Sequence, residues 1–323
     1  MFGYVSVAQL SADIRAKLQD IPQTIDLVVG IPRSGMIPAY LIGLYLNRHV
    51  VDLETFLANG VAGHGHTRKV GIDIAEPQAA RHILLVDDSL MTGGSLQRSI
   101  ERIRASSFSG KLTTCAAIVM PAAGSSVDLF FREMPRPRIF EWNAFHHDMI
   151  EKSCFDLDGI LCVDPTREEC DDGPRYQEFL RTARPLFKPT RKIGHIVSAR
   201  LEKHRAPTEA WLAANGISYG ALHLIDLPSE ADRRRLRAHS PHKAKVYRET
   251  DAVLFYESEL EQAKDIARLS GRPVLCTADM TLQLPTALQL AASLKQARWR
   301  LKIPVGRLKR WLRQQARARA LAR

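Results

Sequence analysis

The chain has 323 residues, 45% of them apolar and 25% charged, a length beyond one compact core and a composition that excludes extended disorder and collagen-like structure. No apolar run reaches the roughly 18 to 20 residues of a membrane-spanning helix; Ile37 to Leu46 comes nearest and already contains Tyr40, Gly43 and Tyr45. The net charge of +11 is confined to one end: residues 295 to 323 carry eleven Lys and Arg and no acid, which leaves 35 basic against 35 acidic residues elsewhere. The opening MFGYVSVAQL has neither a basic start nor a small-residue cleavage site, so the chain is expected to be cytoplasmic. Five scattered cysteines (Cys115, Cys154, Cys162, Cys170, Cys276) with no CxxC spacing predict neither a disulfide framework nor a structural zinc site.

Taken in chain order, Ile25 to Gly30 reads as a buried strand, Met36 to Asn47 as a helix, His82 to Asp88 as a strand, Ser95 to Ala105 as a helix and Leu112 to Met120 as a strand. Strands separated by helix-length segments predict a doubly wound parallel sheet, with residues 121 to 147, which include Pro121, Pro135 and Pro137, as an irregular appendix. A second run begins near Lys152: a strand at Ser153 to Phe155, another at His195 to Ser198 leading into a helix through Trp211, and strands at Ala252 to Tyr256 and Val274 to Thr277. The expected organisation is α/β, with two doubly wound parallel-sheet domains over residues 1–147 and 148–284 and a basic helical C-terminal tail over 285–323.

The stretch Leu84-Leu85-Val86-Asp87-Asp88-Ser89-Leu90-Met91-Thr92-Gly93-Gly94-Ser95 joins an apolar strand to two carboxylates, a glycine turn and a helix start. Backbone amides from Thr92 to Ser95 would converge on a phosphate dianion, while Asp87 and Asp88 can accept hydrogen bonds from vicinal sugar hydroxyls and stabilise positive charge on the ring. This stretch closely resembles the 5-phosphoribosyl diphosphate (PRPP) signature of type I phosphoribosyltransferases, and the resemblance covers about residues 1 to 147. It implies PRPP binding by Ser89, Thr92, Gly93, Gly94 and Ser95. It also makes Gly30-Ile31-Pro32-Arg33-Ser34-Gly35 the pyrophosphate loop, with Arg33, Ser34 and Gly35 at the leaving diphosphate. Residues 60 to 69 sit where the family carries a mobile lid; Arg68 and Lys69 would close over pyrophosphate and exclude water. His64 and His66, two apart in that loop, are a poor metal-ligand set.

Phe155-Asp156-Leu157-Asp158-Gly159 follows a short strand, and the two-residue period of extended chain would point Asp156 and Asp158 the same way. One carboxylate could then attack phosphorus while the other protonates the leaving oxygen. The motif resembles the first signature of haloacid dehalogenase-like phosphatases, and the order of later residues extends the resemblance. Ser198 supplies the hydroxyl of the second motif, and His242-Lys243-Ala244-Lys245 supplies the lysine of the third, with Lys243 preferred to Lys245. Glu257 stands where the family usually has Asp. The resemblance implies a Mg2+ cofactor held by Asp156, Asp158 and Glu257, glutamate being a hard oxygen ligand. About 40 residues separate Asp156 from Ser198, too few for a large cap, so an open site reaching a bulky substrate is expected.

In the tail, Leu308, Trp311 and Leu312 share a helical face ringed by Arg307, Lys309, Arg310 and Arg313. The first reading is an interfacial helix on anionic lipid; nucleic acid, or a solvated or oligomer-contacting tail, are the alternatives. The aromatic segment Arg138 to His147 lies where phosphoribosyltransferases place the acceptor hood, and either faces an acceptor or seals the domain junction. Joined transferase and phosphatase modules resemble bacterial machinery that installs ribofuranose in surface polysaccharides. The implied partners are PRPP, a lipid-linked or oligosaccharide glycan acceptor and the inner membrane surface. A nucleobase acceptor with a nucleoside product is the alternative, and a PRPP-sensing regulator whose tail binds nucleic acid is a third.

Overall fold

The structure is a computed structural model that describes residues 2–61, 63, 74, 76–170 and 172–285. The chain divides into two compact units, Met1–Ala144 and Phe145–Arg323. Arg68, Lys69, His64, His66 and the basic tail lie outside the described residues.

The first unit runs β1 (Gly3–Val5), α1 (Val7–Ala16), β2 (Leu27–Gly30), α2 (Met36–Leu46), β3 (His49–Asp52), α3 (Leu53–Leu57), β4 (His82–Leu90), α4 (Gly94–Arg104), β5 (Lys111–Val119), β6 (Leu129–Glu133) and β7 (Arg138–Phe140). Five strands form a parallel sheet in the order β3-β2-β4-β5-β6. Both faces are buried, and period-two alternation divides the side chains between them. Leu27, Val29, Ile83 and Leu85 pack on one side with Val51 and Phe56; Val28, Leu84 and Val86 pack on the other with Ala39, Ile42 and Ala117. The chain steps from β2 outward to β3, then returns to place β4 on the far side of β2. Strand order therefore reverses between β2 and β4, and a crevice at their carboxyl ends is where open α/β sheets bind ligands.

Two expectations are corrected here. Residues 121–147 are not an irregular appendix: they contribute β6, which completes the sheet, and β7, which pairs in parallel with β1. Pro135 and Pro137 fall between these short strands and Pro121 between β5 and β6, where no ladder hydrogen bond is lost. In addition, β4 runs two residues past its expected end at Asp88, to Leu90, with Asp87 opposite Ala116 and Ser89 opposite Ile118.

The second unit runs β8 (Ser153–Phe155), α5 (Pro174–Thr182), β9 (Ile193–Leu201), α6 (Arg205–Ala214), β10 (Tyr219–Ile225), α7 (Glu230–Arg235), α8 (His239–Glu249), β11 (Leu254–Glu257), α9 (Leu260–Ser270), β12 (Val274–Cys276) and β13 (Thr281–Gln283). Its sheet order is β10-β9-β8-β11-β12-β13, again with a reversal, here between β8 and β11. The sheet is parallel except at one edge, where β13 runs antiparallel to β12, so the wholly parallel expectation is corrected. A short return from Cys276 to Thr281 leaves no room for the crossover helix a parallel neighbour needs. Among the described residues no helix is long and apolar enough to cross a membrane.

The loop after β2 is pressed onto β4. The Ile31 N–H donates to the Val86 carbonyl at 2.8 Å, and Gly35 is buried so tightly that a Cβ there would lie 2.5 Å from the Ile31 carbonyl oxygen and 2.8 Å from that of Val86. Both obstacles are backbone and cannot swing away. Gly35→Ala is therefore expected to destabilise the first unit by roughly 1–3 kcal/mol, read as a lowered midpoint in denaturant unfolding; an unchanged midpoint would contradict this packing.

Candidate active sites at the two strand-order reversals

In the first unit, β4 carries Asp87 and Asp88 to the reversal with only 8% and 9% of their surface exposed. Asp87 Oδ1 accepts the Asp88 backbone N–H at 2.9 Å. Burial, followed by the neighbouring Asp88 charge, pushes the Asp87 carboxyl up to about 7. Beyond Leu90 the chain turns through Thr92 to Gly93, whose φ of +80° suits glycine, and enters α4 at Gly94. Helix α4 has no side-chain N-cap, so its first-turn amides remain available to an anion, beside the exposed Thr92 and Ser95 and the half-buried Ser89. Across the reversal, Arg33 is exposed, Ser34 half-buried and Gly35 buried in the loop that follows β2; the Pro32–Arg33 peptide is cis. The phosphate-type loop, the acidic pair and the Arg33 loop thus meet at one end of one sheet.

Sequence reasoning did not find the partner of Asp88. Trp142 Nε1 donates to Asp88 Oδ2 at 2.9 Å, and the Trp142 ring stacks on Phe140 with centroids 4.9 Å apart. The aromatic segment had been singled out, but nothing in a string of residues ties position 142 to position 88.

In the second unit, Asp156 follows β8, Glu257 ends β11 and Lys243 reaches them from α8. Lys243 is 2% exposed; its Nζ donates to Asp156 Oδ2 at 2.6 Å, Glu257 Oε2 at 2.8 Å and Gln262 Oε1 at 3.1 Å. Burial opposes the ammonium, yet the two carboxylates outweigh it and hold the lysine protonated, its pKa above the ordinary value. Lys245, the alternative lysine, is exposed. Ser198, fully buried in β9, accepts the Arg200 N–H at 3.2 Å and keeps its hydroxyl hydrogen to donate.

Asp158 is arranged differently from expectation. Strand β8 ends at Phe155, and Asp158 forms an isolated bridge with Cys162 instead of continuing it. Its carboxylate is gripped by buried Arg200, at 2.6 Å to Oδ1 and 3.1 Å to Oδ2, and receives the Cys162 thiol at 3.3 Å. Arg200 is fixed in turn by Thr208 at 3.3 Å and by the Phe179 ring. Two-residue spacing from Ser198 along β9 is the one sequence signal that could have found it. The Cys162 thiol is pushed far up by burial and by the Asp158 charge, so it is a donor and not a thiolate.

The donor chemistry of Asp156, Asp158 and Glu257 suits Mg2+, but their arrangement does not. Lys243 occupies the space between Asp156 and Glu257, and Arg200 takes both oxygens of Asp158. Among the described residues no three His, Cys, Asp or Glu side chains are placed to hold a metal. The expected three-carboxylate ligand set is therefore not assembled. All five cysteines are free.

Residues 4–149 match the protein family described as "Phosphoribosyl transferase domain", and the first unit is accordingly a phosphoribosyl transferase domain. Similar solved structures include a purine phosphoribosyltransferase from Pyrococcus horikoshii Ot3, at 19% identity over 44% of this chain and 93% of that one, with a TM-score of 0.33. The xanthine-guanine-hypoxanthine phosphoribosyltransferase of Helicobacter pylori is 16% identical over 45% and 93% of the two chains, with a TM-score of 0.34. For the orotate phosphoribosyltransferase of Aeropyrum pernix the values are 20%, 39%, 69% and 0.27. No curated protein matches the chain.

Two outcomes test the geometry. Because the folded pKa of Asp87 is raised, the fold bears an unfavourable buried charge that appears as pH climbs from about 4, the ordinary carboxylate value, through about 7. Thermal unfolding of Asp87→Asn should therefore gain on the wild type across that interval and hold a constant advantage above it; a pH-independent difference would refute the shift. Arg200→Ala, which strips a buried partner from Asp158, should cost about 3–5 kcal/mol in denaturant unfolding, and a loss below about 1 kcal/mol would show that the pair is solvent-screened.

Proposed function

We propose that the chain is a bifunctional enzyme: the first unit transfers 5-phosphoribose from PRPP to a glycan hydroxyl with release of pyrophosphate, and the second removes the 5-phosphate to leave a ribofuranosyl residue. The observation that carries this reading is the presence, in one chain, of two sites of complementary chemistry, each at the reversal of its own sheet. One pairs adjacent carboxylates with a glycine loop at a helix start; the other groups a buried carboxylate, lysine and serine.

In the transferase step the bond from ribose C1 to the diphosphate oxygen breaks and a bond from C1 to the acceptor oxygen forms. Arg33 and the Ser34–Gly35 amides hold the departing diphosphate, the Thr92–Ser95 amides hold the 5-phosphate, and Asp87 and Asp88 stabilise the positive charge gathering on the ring. Arg68 and Lys69 would cover the diphosphate. A proton leaves the acceptor hydroxyl, and Asp87, with its carboxyl near 7, is suited to receive it. Mg2+ is the cation this family uses with PRPP, and it would supply charge neutralisation of the diphosphate.

In the phosphatase step Asp156 attacks phosphorus and the bond to the sugar oxygen breaks; that oxygen takes a proton from water, both Asp158 oxygens being engaged by Arg200. Water then cleaves the aspartyl phosphate. Lys243 and Ser198 hold the phosphoryl oxygens, and Arg200 with Cys162 fixes the direction of the Asp158 carboxylate. Among the described residues between Asp156 and Ser198 the only α-helix is α5, nine residues long, which supports an open site suited to a bulky glycan. The tail of residues 295–323 is proposed to hold the enzyme on anionic lipid at the cytoplasmic membrane face, near a lipid-linked acceptor.

The test is incubation with PRPP, MgCl2 and candidate acceptors, with products resolved by mass spectrometry. The wild type should yield a ribosylated glycan, and Asp156→Asn should accumulate its 5-phosphorylated form. A nucleoside product would move the reading to a nucleobase acceptor, and dephosphorylated product from Asp156→Asn would remove Asp156 as nucleophile.

A further inference from the structure

The segment after β6 is built as a support. Strand β7 lies parallel to β1, with Gly3 opposite Arg138 and Val5 opposite Phe140. The chain then turns through Glu141–Asn143. Glu141 Oε2 accepts the Val7 N–H at 2.8 Å, and Asn143 Oδ1 accepts the Phe140 N–H at 3.1 Å, so both ends of the turn are tied down. Buried Arg138 donates to the Met134 carbonyl at 2.7 Å and to the Leu90 carbonyl at 3.3 Å, and its guanidinium lies 5.5 Å from the Phe140 ring centroid. Trp142 stacks on the other partner of this layer, nearly parallel to Phe140 at 19°, and from there its Nε1 reaches Asp88 Oδ2 at 2.9 Å.

We propose that Trp142 is a positioning residue of the transferase, its indole N–H fixing the Asp88 carboxylate against the ribosyl ring, so that the segment 138–142 sets the donor-sugar geometry. This inference rests on the transferase reading above and assigns the segment a task other than facing the acceptor.

Three features favour it. An indole nitrogen only donates, so it orients a carboxylate without competing for the sugar hydroxyls. The stacked pair removes the rotational freedom that a lysine or serine in the same place would keep. Asp88 needs such a constraint, because its neighbour Asp87 is equally buried and of like charge, and repulsion alone would turn the two carboxylates apart. The Arg138 charge acts on Asp88 as well, from the same support. Small displacements of a reacting group cost up to about 100-fold in rate, so the orientation of one carboxylate is enough to matter.

The test uses the full chain with PRPP and MgCl2 as probes: PRPP affinity by calorimetry, and pyrophosphate release with water or a working acceptor. Trp142→Phe keeps the stacked ring and deletes the donor. It should lower kcat for pyrophosphate release by about 10-fold to 100-fold while its thermal midpoint stays near that of the wild type. Combining it with Asp88→Asn should cost no more than Asp88→Asn alone, because Trp142 acts only through the carboxylate that the second change removes. Trp142→Phe turning over at the wild-type rate, or losses that multiply in the double variant, would overturn the assignment. A wild type that binds PRPP yet is indifferent to Trp142→Phe in both affinity and rate refutes Trp142 alone. A wild type that neither binds PRPP nor releases pyrophosphate refutes the transferase reading and this inference with it.

Discussion

Two carboxylates brought to the ends of neighbouring central strands cannot both stay buried and charged unless a cation stands between them. In the second unit Lys243 is that cation. With Asp156 at 2.6 Å and Glu257 at 2.8 Å, it permits an acidic group at the end of β8 and another at the end of β11, and the strand-order reversal becomes a site instead of a point of repulsion. Deep burial makes the arrangement conditional on the lysine: removing Lys243 would leave Asp156 and Glu257 facing each other with no cation between them.

The first unit meets the same difficulty without a cation within hydrogen-bonding distance of either carboxylate in the described contacts. Asp87 and Asp88 are consecutive on β4, and the conflict is resolved by protonation, with the Asp87 carboxyl raised to about 7, and by a neutral donor, the Trp142 indole. The two solutions leave different chemistry behind. A lysine-centred triad holds a carboxylate and a positive pole in fixed places, whereas an acidic pair with one raised carboxyl can take up and release a proton near neutrality.

What the sequence disclosed was local. Leu84 to Ser95 encodes strand, acidic pair, glycine turn and helix start within twelve residues, and each feature lies within a residue or two of its expected place, the strand ending at Leu90 instead of Asp88. Asp156, Ser198 and Glu257 were legible because they lie in or just after apolar runs, and Lys243 only through its place in the order of motifs. The rest depended on contacts between distant positions. Strand β10, with Gly220 near its start and the half-buried His223 within, lacks the apolar run that marks a buried strand. Strands β3, β6 and β7 are four, five and three residues long, and their pairing is fixed by neighbours far away in the chain. Arg200 and Trp142 are ordinary residues until folding sets one against Asp158 and the other against Asp88.

Gly35 carries a consequence for what donor the first unit can ever accept. Its Cα rests on the main chain of β4 at Val86 and Asp87, with no side chain in the gap. The loop proposed to hold the diphosphate and the carboxylates proposed to face the ribose are therefore held apart by the spacing of adjacent strands, about 4.8 Å in any sheet. That distance is a lattice constant of the peptide backbone. Substitution can retune charge or hydrogen bonding around it, but a longer donor would require a different sheet.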